Sequence, residues 1–252
     1  MKKTVFLATT AVLGGLLAST VAFADTPANQ STYSDATTGK STANVTLTKP
    51  DKNPVQPNVP GKPDNPSDGN PGNTNTADLM LKYVSHFDFG SKELSAQSSK
   101  APVKTIGLVD ANGKATNEKT VPYAKVSDTR GTAEGWQLKV KQDAEFQNAA
   151  KTNKINGAQI NIATVTPVDG TGVTTTDVQG KSQTIDQTTG DAIIMSTTGA
   201  HHFGEYSAMF GNPTETGDTT DGVQLLIPGN SALADDYSTT LTWTLESVPA
   251  KN

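Results

Sequence analysis

No cysteine occurs among the 252 residues. Disulfide staples, a thiol nucleophile and a lipid-bearing cysteine after an N-terminal apolar run are therefore all excluded. Aromatic residues are few, with two Trp, five Tyr and seven Phe, so each large ring must carry much of any core. Only three histidines are available for metal binding or proton transfer. His201 and His202 are adjacent; neighbours in a strand face opposite ways, so the pair reads as polar loop residues and not as ligands. Neither a Gly-x-Ser-x-Gly elbow nor a His-Glu-x-x-His pair is present, and no metal or cofactor is expected. The runs Asp169 to Asp177 and Asp218-Thr219-Thr220-Asp221-Gly222 lack EF-hand spacing, and turn chemistry accounts for their Asp and Gly. After the N-terminal segment no apolar run approaches the ~20 residues a spanning helix needs, so no membrane span is expected in the mature chain.

What is present at the ends speaks to compartment. Lys2 and Lys3 precede an uncharged, largely apolar run from Thr4 to Phe23 that closes on Ala22-Phe23-Ala24. That is the pattern of a secretory signal peptide over residues 1–24, with maturation at Asp25. The final residues Val248-Pro249-Ala250-Lys251-Asn252 carry no sortase-type signal. A secreted protein without a covalent anchor is the expectation.

The formal charge is −5, unevenly spread. From Lys100 to Lys154 ten Lys/Arg stand against six Asp/Glu, net +4; from Ile155 to Asn252 two stand against eleven, net −9. A basic face for anionic polymers is one reading. The cross-strand preference for opposite charges favours the other, in which the halves pair in one sheet system and neutralise each other. Nothing points to nucleic acid.

Along the chain, residues 25–42 are polar and read as a disordered segment. Residues 43–49 alternate as a short strand, Asn44-Val45-Thr46-Leu47-Thr48, which could belong to the domain's sheet. Residues 50–75 form a proline-rich spacer. Pro54, Pro57, Pro60, Pro63 and Pro66 recur every third residue, the period of polyproline II, and full extension at about 3.1 Å per residue reaches roughly 80 Å. Residues 76–252, 177 in all, suffice for one core. There Leu79, Leu81, Tyr83, Phe87 and Phe89 share one parity and predict a long two-faced strand ended by Gly90. Trp136/Leu138/Val140, Ile160/Ile162, Val223/Leu225/Ile227 and Leu241/Trp243/Leu245 predict further strands, divided by turn clusters such as Asp110-Ala111-Asn112-Gly113 and Asp169-Gly170-Thr171-Gly172. One short helix is expected between Asp143 and Thr152. The fold class is all-β, a β-sandwich or barrel-like single domain with a proline-rich insert near its N-terminus.

Asp128-Thr129-Arg130-Gly131 followed by Gly135-Trp136-Gln137-Leu138-Lys139-Val140, and Tyr237 to Leu245 closed by Pro249, resemble the proximal and distal motifs of the WxL family of low-GC Gram-positive surface proteins. Tyr83 to Gly90 resembles the family's opening strand, and Val223 to Pro228 its penultimate one. The resemblance covers nearly all of residues 43–252. It implies a cell-wall-binding domain over 76–252, held non-covalently on peptidoglycan at the cell wall surface, and assembly with other cell-surface proteins. It also implies roles in adhesion, sensing or use of external polymers. A host- or matrix-directed adhesin is the alternative; a carbohydrate-active enzyme is disfavoured because no catalytic signature is present.

Trp136 and Leu138 lie two apart and share a strand face, opposite Gln137 and Lys139; Trp243 and Leu245 repeat this opposite Thr242 and Thr244. These residues, with Tyr237 and Pro249, are candidate site residues under two readings. The rings stack on sugars, or Trp and Leu point inward as core. A strand with one wholly polar face is buried on one side only, which favours the core for both motifs.

Overall fold

A computed structural model describes residues 69–110, 112–199, 202–215 and 217–249, together with 58–62 and positions 32–33, 35–37, 39–40, 45–46 and 48. The chain divides into two compact units, Met1–Thr48 and Lys49–Asn252. In the first, within the segment expected to be disordered, β1 (Thr32–Tyr33) and β2 (Gly39–Lys40) pair antiparallel. Val45 and Thr46 lie outside any strand, and Val45 is exposed. The rest of the strand expected over 43–49 (except Thr48), and the signal peptide 1–24, lie outside the described residues.

The second unit is all-β and sandwich-like, with every strand pair antiparallel. Its strands are β3 (Leu79–Val84), β4 (Ser99–Lys104), β5 (Ile106–Val109), β6 (Ala115–Thr120), β7 (Tyr123–Asp128), β8 (Gly135–Gln142), β9 (Gln159–Ile162), β10 (Thr166–Asp169), β11 (Val178–Gly180), β12 (Gln183–Ile185), β13 (Ala192–Thr197), β14 (Gly204–Met209), β15 (Thr219–Ile227) and β16 (Leu241–Val248). Three four-stranded sheets, ordered β10-β14-β7-β3, β11-β13-β8-β16 and β12-β9-β15-β4, share one core, and β5-β6 forms a separate ribbon. The four alternations read from the sequence become β8, β9, β15 and β16. Each turns its apolar set toward this core, which contains Trp136, Leu138, Ile160, Ile162, Val223 and Leu225. Alternation at period two against one buried face fixes the register, because a slip by one residue would expose the whole set.

The long strand expected from Leu79 to Phe89 stops at Val84. A β-bulge between Leu81 and Tyr83 breaks its parity. Leu81 lies opposite Val126 and Val84 opposite Ala124, both main-core residues, while Tyr83 turns outward. The extra residue rotates the strand face, as bulges do. The backbone and hydroxyl of Ser85 then bond Tyr123, and Phe87 and Phe89 reach the core from an irregular segment. Among the described residues no helix occurs at Asp143–Thr152; that stretch is turns and isolated bridges, with Asn148 Oδ1 accepting from the amides of Thr152 and Asn153. Such an Asn cap offers the backbone an alternative to helix.

A second apolar cluster lies on the opposite face of the β7 sheet. Tyr83, Tyr123, Val168 and Met209 are covered there by Ile106 and Leu108 of the ribbon and by Val59. Val59 is 3% exposed, so the expectation of a wholly solvated spacer does not hold at 58–62. Val59-Pro60-Gly61-Lys62 forms a turn closed by the Lys62 amide on the Val59 carbonyl at 2.9 Å. Proline at its second position and Gly61 at φ +74° at its third match a type II turn. Gly61 also abuts Gly172, where a Cβ would stand 2.7 Å from the Gly61 Cα. Residues 50–57 and 63–68 lie outside the described residues.

The uneven charge resolves across strands. Lys125 pairs with Glu205 at 2.7 Å, and Lys119–Asp218 and Lys139–Glu246 also join the basic and acidic halves. The neutralising reading holds for these pairs.

Candidate functional site

The two Trp-x-Leu motifs sit side by side on β8 and β16. Leu138 lies directly opposite Leu245, Trp136 opposite Ser247, and Trp243 opposite Val140. The motifs are thus related by a local two-fold through the leucine pair, with a tryptophan at each end. Their environments differ. Trp136 and Leu138 are 0% exposed, and the Trp136 ring lies 6.0 Å from that of Tyr206. Trp243 and Leu245 are only partly buried and pack against the rim of the core. Trp136 thus sits inside the core, whereas Trp243 packs on its rim, because β16 is the edge strand of its sheet. Tyr237 is half-buried and uses its hydroxyl on its own loop, donating to the Leu233 carbonyl at 2.9 Å and accepting from the Leu233 amide. Pro249 is exposed just beyond β16.

Ahead of the proximal motif, Arg130 ties three pieces of chain together. Its Nε and Nη2 donate to the two oxygens of Asp128 at 3.0 and 2.8 Å. Nη2 also reaches the Glu134 and Gly135 carbonyls, and Nη1 reaches Ser247 Oγ at 2.6 Å. Asp128 is 2% exposed. Burial alone would raise its pKa, but the hydrogen bonds and charge of Arg130 outweigh this and hold it below the usual carboxylate range. His202, expected as a polar loop residue, is instead buried at 3% exposure, with Nδ1 2.9 Å from Asp128 Oδ2. That contact is close but poorly aligned, and neither ring nitrogen makes a well-formed hydrogen bond. His201 lies outside the described residues. This knot fixes the ends of β7, β8 and β16 and so sets the register of the two motifs. Next to it burial, followed by the charge of Asp177, pushes the Tyr206 hydroxyl up to about 12.

A groove of about 1200 Å³ opens beside Trp243. Phe87, Phe89, Phe146, Leu241 and Trp243 line it, between walls formed by the 85–97 segment and the 228–241 loop. The rings interlock edge to face: Phe87 on Trp243 with centroids 6.3 Å apart, and Phe89 on Phe146 at 6.4 Å. At one end the walls touch, where the Asn230 amide donates to the Ser95 carbonyl. Gly229 permits this approach, since a Cβ there would lie 2.2 Å from the Ala96 carbonyl oxygen. Leu94 and Leu233 stand exposed on the two walls. The combination of aromatic rings, exposed apolar lips and surrounding hydroxyls and carboxylates suits a ligand with both apolar faces and hydroxyl groups.

The profile of the WxL domain surface cell wall-binding family matches residues 34–249. The chain belongs to that family. It is a cell-surface protein whose WxL domain binds the cell wall. No significant match is found among curated proteins or among solved structures. Among the described residues no helix is long and apolar enough to cross a membrane.

Within this WxL domain the sequence motifs mark the β8–β16 ladder but not the groove next to it. Phe87 and Phe89 were visible as aromatics but read as part of a strand. The cue to a turn was Asp88-Phe89-Gly90, where the Gly90 amide donates to Asp88 Oδ1 at 2.7 Å. The knot had its own cue, Asp128 two residues before Arg130, a spacing that lets the carboxylate accept from both the Arg130 backbone and its side chain.

Proposed function

We propose that the chain is secreted, is held on peptidoglycan without a covalent bond, and takes the wall polymer in the groove beside Trp243. The observation that carries this reading is the asymmetry of the two motifs. Trp136 is sealed in the core, while Trp243 keeps part of its ring in a groove with Phe87 and Phe89. Partly exposed rings beside hydroxyls suit the apolar faces and hydroxyl edges of sugars, because a ring face buries sugar C–H groups while its neighbours take the polar ones. Other cell-surface proteins of the same assembly are the proposed partners, with the exposed Leu94 and Leu233 as apolar surface for them.

The reading is binding without turnover. A glycoside hydrolase needs one carboxyl with a raised pKa as general acid. Among the described residues every carboxylate with a displaced pKa is displaced downward, including the groove residues Asp88, held by the Lys104 hydrogen bond, and Asp235, held by Asn153 and Asn148. Co-sedimentation of the purified chain with isolated peptidoglycan tests the reading. Saturable binding, released by concentrated salt or mild denaturant and restored on dilution, is expected. No sedimentation above a protein-only control, or retention through boiling in detergent, would overturn it.

A further inference from the structure

The groove carries a charge pattern that restricts which wall component can enter it. Asp88, Glu93, Asp235 and Asp236 line it, against one cation, Lys92. Asp88 is matched by Lys104 at 2.9 Å, and Asp235 accepts from Asn148, Asn153 and the Asp236 amide. Glu93 and Asp236 are exposed, and among the described residues their carboxylates make no hydrogen bond or ion pair. Elsewhere Lys125, Lys119 and Lys139 are taken up by pairing, and Lys100, Lys114, Lys151 and Lys181 are not among the residues that line the groove. A polymer bearing phosphates would meet like charge at the lips and no guanidinium or ammonium cluster to receive it.

The groove does offer partners for a neutral chain. Its aromatic floor can take the apolar faces of pyranose rings and the methyls of N-acetyl groups. The free carboxylates of Glu93 and Asp236 can accept from sugar hydroxyls and amide N–H groups. Building on the wall-binding reading above, we infer that this groove takes the neutral N-acetylhexosamine backbone of peptidoglycan and rejects the phosphate-bearing polymers of the wall.

Two soluble probes test this with the full chain: an N-acetylglucosamine hexamer and a purified teichoic polymer. The hexamer should compete the chain off insoluble peptidoglycan, and the teichoic polymer should not. Trp243→Ala should weaken hexamer binding by about tenfold, the loss of one ring contact plus its buried area. Because that change also touches the core rim, Glu93→Lys and Asp236→Lys serve as a second pair at exposed positions. Together they should leave the denaturation midpoint unchanged and raise binding to the teichoic polymer. If peptidoglycan is bound but the hexamer neither binds nor competes, the inference fails while the wall-binding reading stands. Binding that disappears when teichoic polymers are stripped from the wall would also overturn it. If peptidoglycan is not bound at all, the wall-binding reading itself fails.

Discussion

Replacing each motif tryptophan by alanine separates the two roles assigned to them. Trp136 is 0% exposed and touches Tyr206 within a core built by three sheets. A buried indole removes about 200 Å² from water, which at about 25 cal/mol per Å² is worth ~5 kcal/mol. Measured losses for such truncations run about 3–5 kcal/mol, since the cavity collapses only in part. A typical domain has only about 5–15 kcal/mol in total. Trp136→Ala should therefore shift the urea midpoint far down or abolish folding. Trp243 keeps part of its ring in the groove and rests on Phe87 and Phe210; its truncation should cost about half as much, ~2 kcal/mol. Urea denaturation followed by far-ultraviolet dichroism gives both midpoints, and peptidoglycan co-sedimentation on the same samples gives binding. Folded Trp243→Ala protein should bind poorly, and any folded Trp136→Ala protein should bind normally. An unchanged midpoint in Trp136→Ala, or equal losses in both, would refute the assignment.

Further outcomes follow from the rest of the fold. Asp128→Asn leaves the partly buried Arg130 with only the exposed Glu134, at 3.3 Å, as a charged partner and should cost about 3 kcal/mol in thermal or urea denaturation, the low end for loss of one member of a buried pair. Asp128 and Glu205 both have depressed pKa values in the folded chain. Their contribution is present above the unfolded value near 4 and is lost as pH falls through the lower folded value; urea midpoints measured from pH 6 downward should drop below about pH 4, less steeply in Glu205→Gln. Val59→Asp should place a charge in the second apolar cluster, lower the urea midpoint and make proteolytic cutting near residues 58–62 faster than in the unaltered chain. Gly172→Ala should destabilise by about 1–3 kcal/mol, since its φ is +83° and a Cβ would strike the Gly61 backbone; a melting curve reads the loss.

Much of the β architecture was legible, because β8, β9, β15 and β16 each bury one face and the period-two pattern reports that directly. Three things were not. β7 is buried on both faces, with Tyr123 and Lys125 opposite Ala124 and Val126; its outer cover comes from the distant ribbon and from Val59, which local patterning does not encode. The bulge at Leu81–Tyr83 turned Tyr83 to the opposite face from Leu81, and alternation alone reads straight through a bulge. The inequality of the two tryptophans depends on strand order: the motifs are identical locally, but β8 has neighbours on both sides and β16 is paired on one. His202 illustrates a further limit, since its burial depends on Asp128 being 74 positions earlier in the chain and on β14 pairing with β7.

The chain has only two tryptophans, so its proton–nitrogen correlation spectrum contains two indole signals, assignable from the two alanine variants. Titrating the labelled chain with soluble glycan fragments of peptidoglycan tests most directly the claim that the wall polymer binds beside Trp243. The Trp243 indole signal and backbone amides in the 85–97 and 230–241 segments should shift in a saturable way, with the buried Trp136 indole signal unmoved. Saturable shifts confined to any other face, with the Trp243 signal constant, would contradict the account.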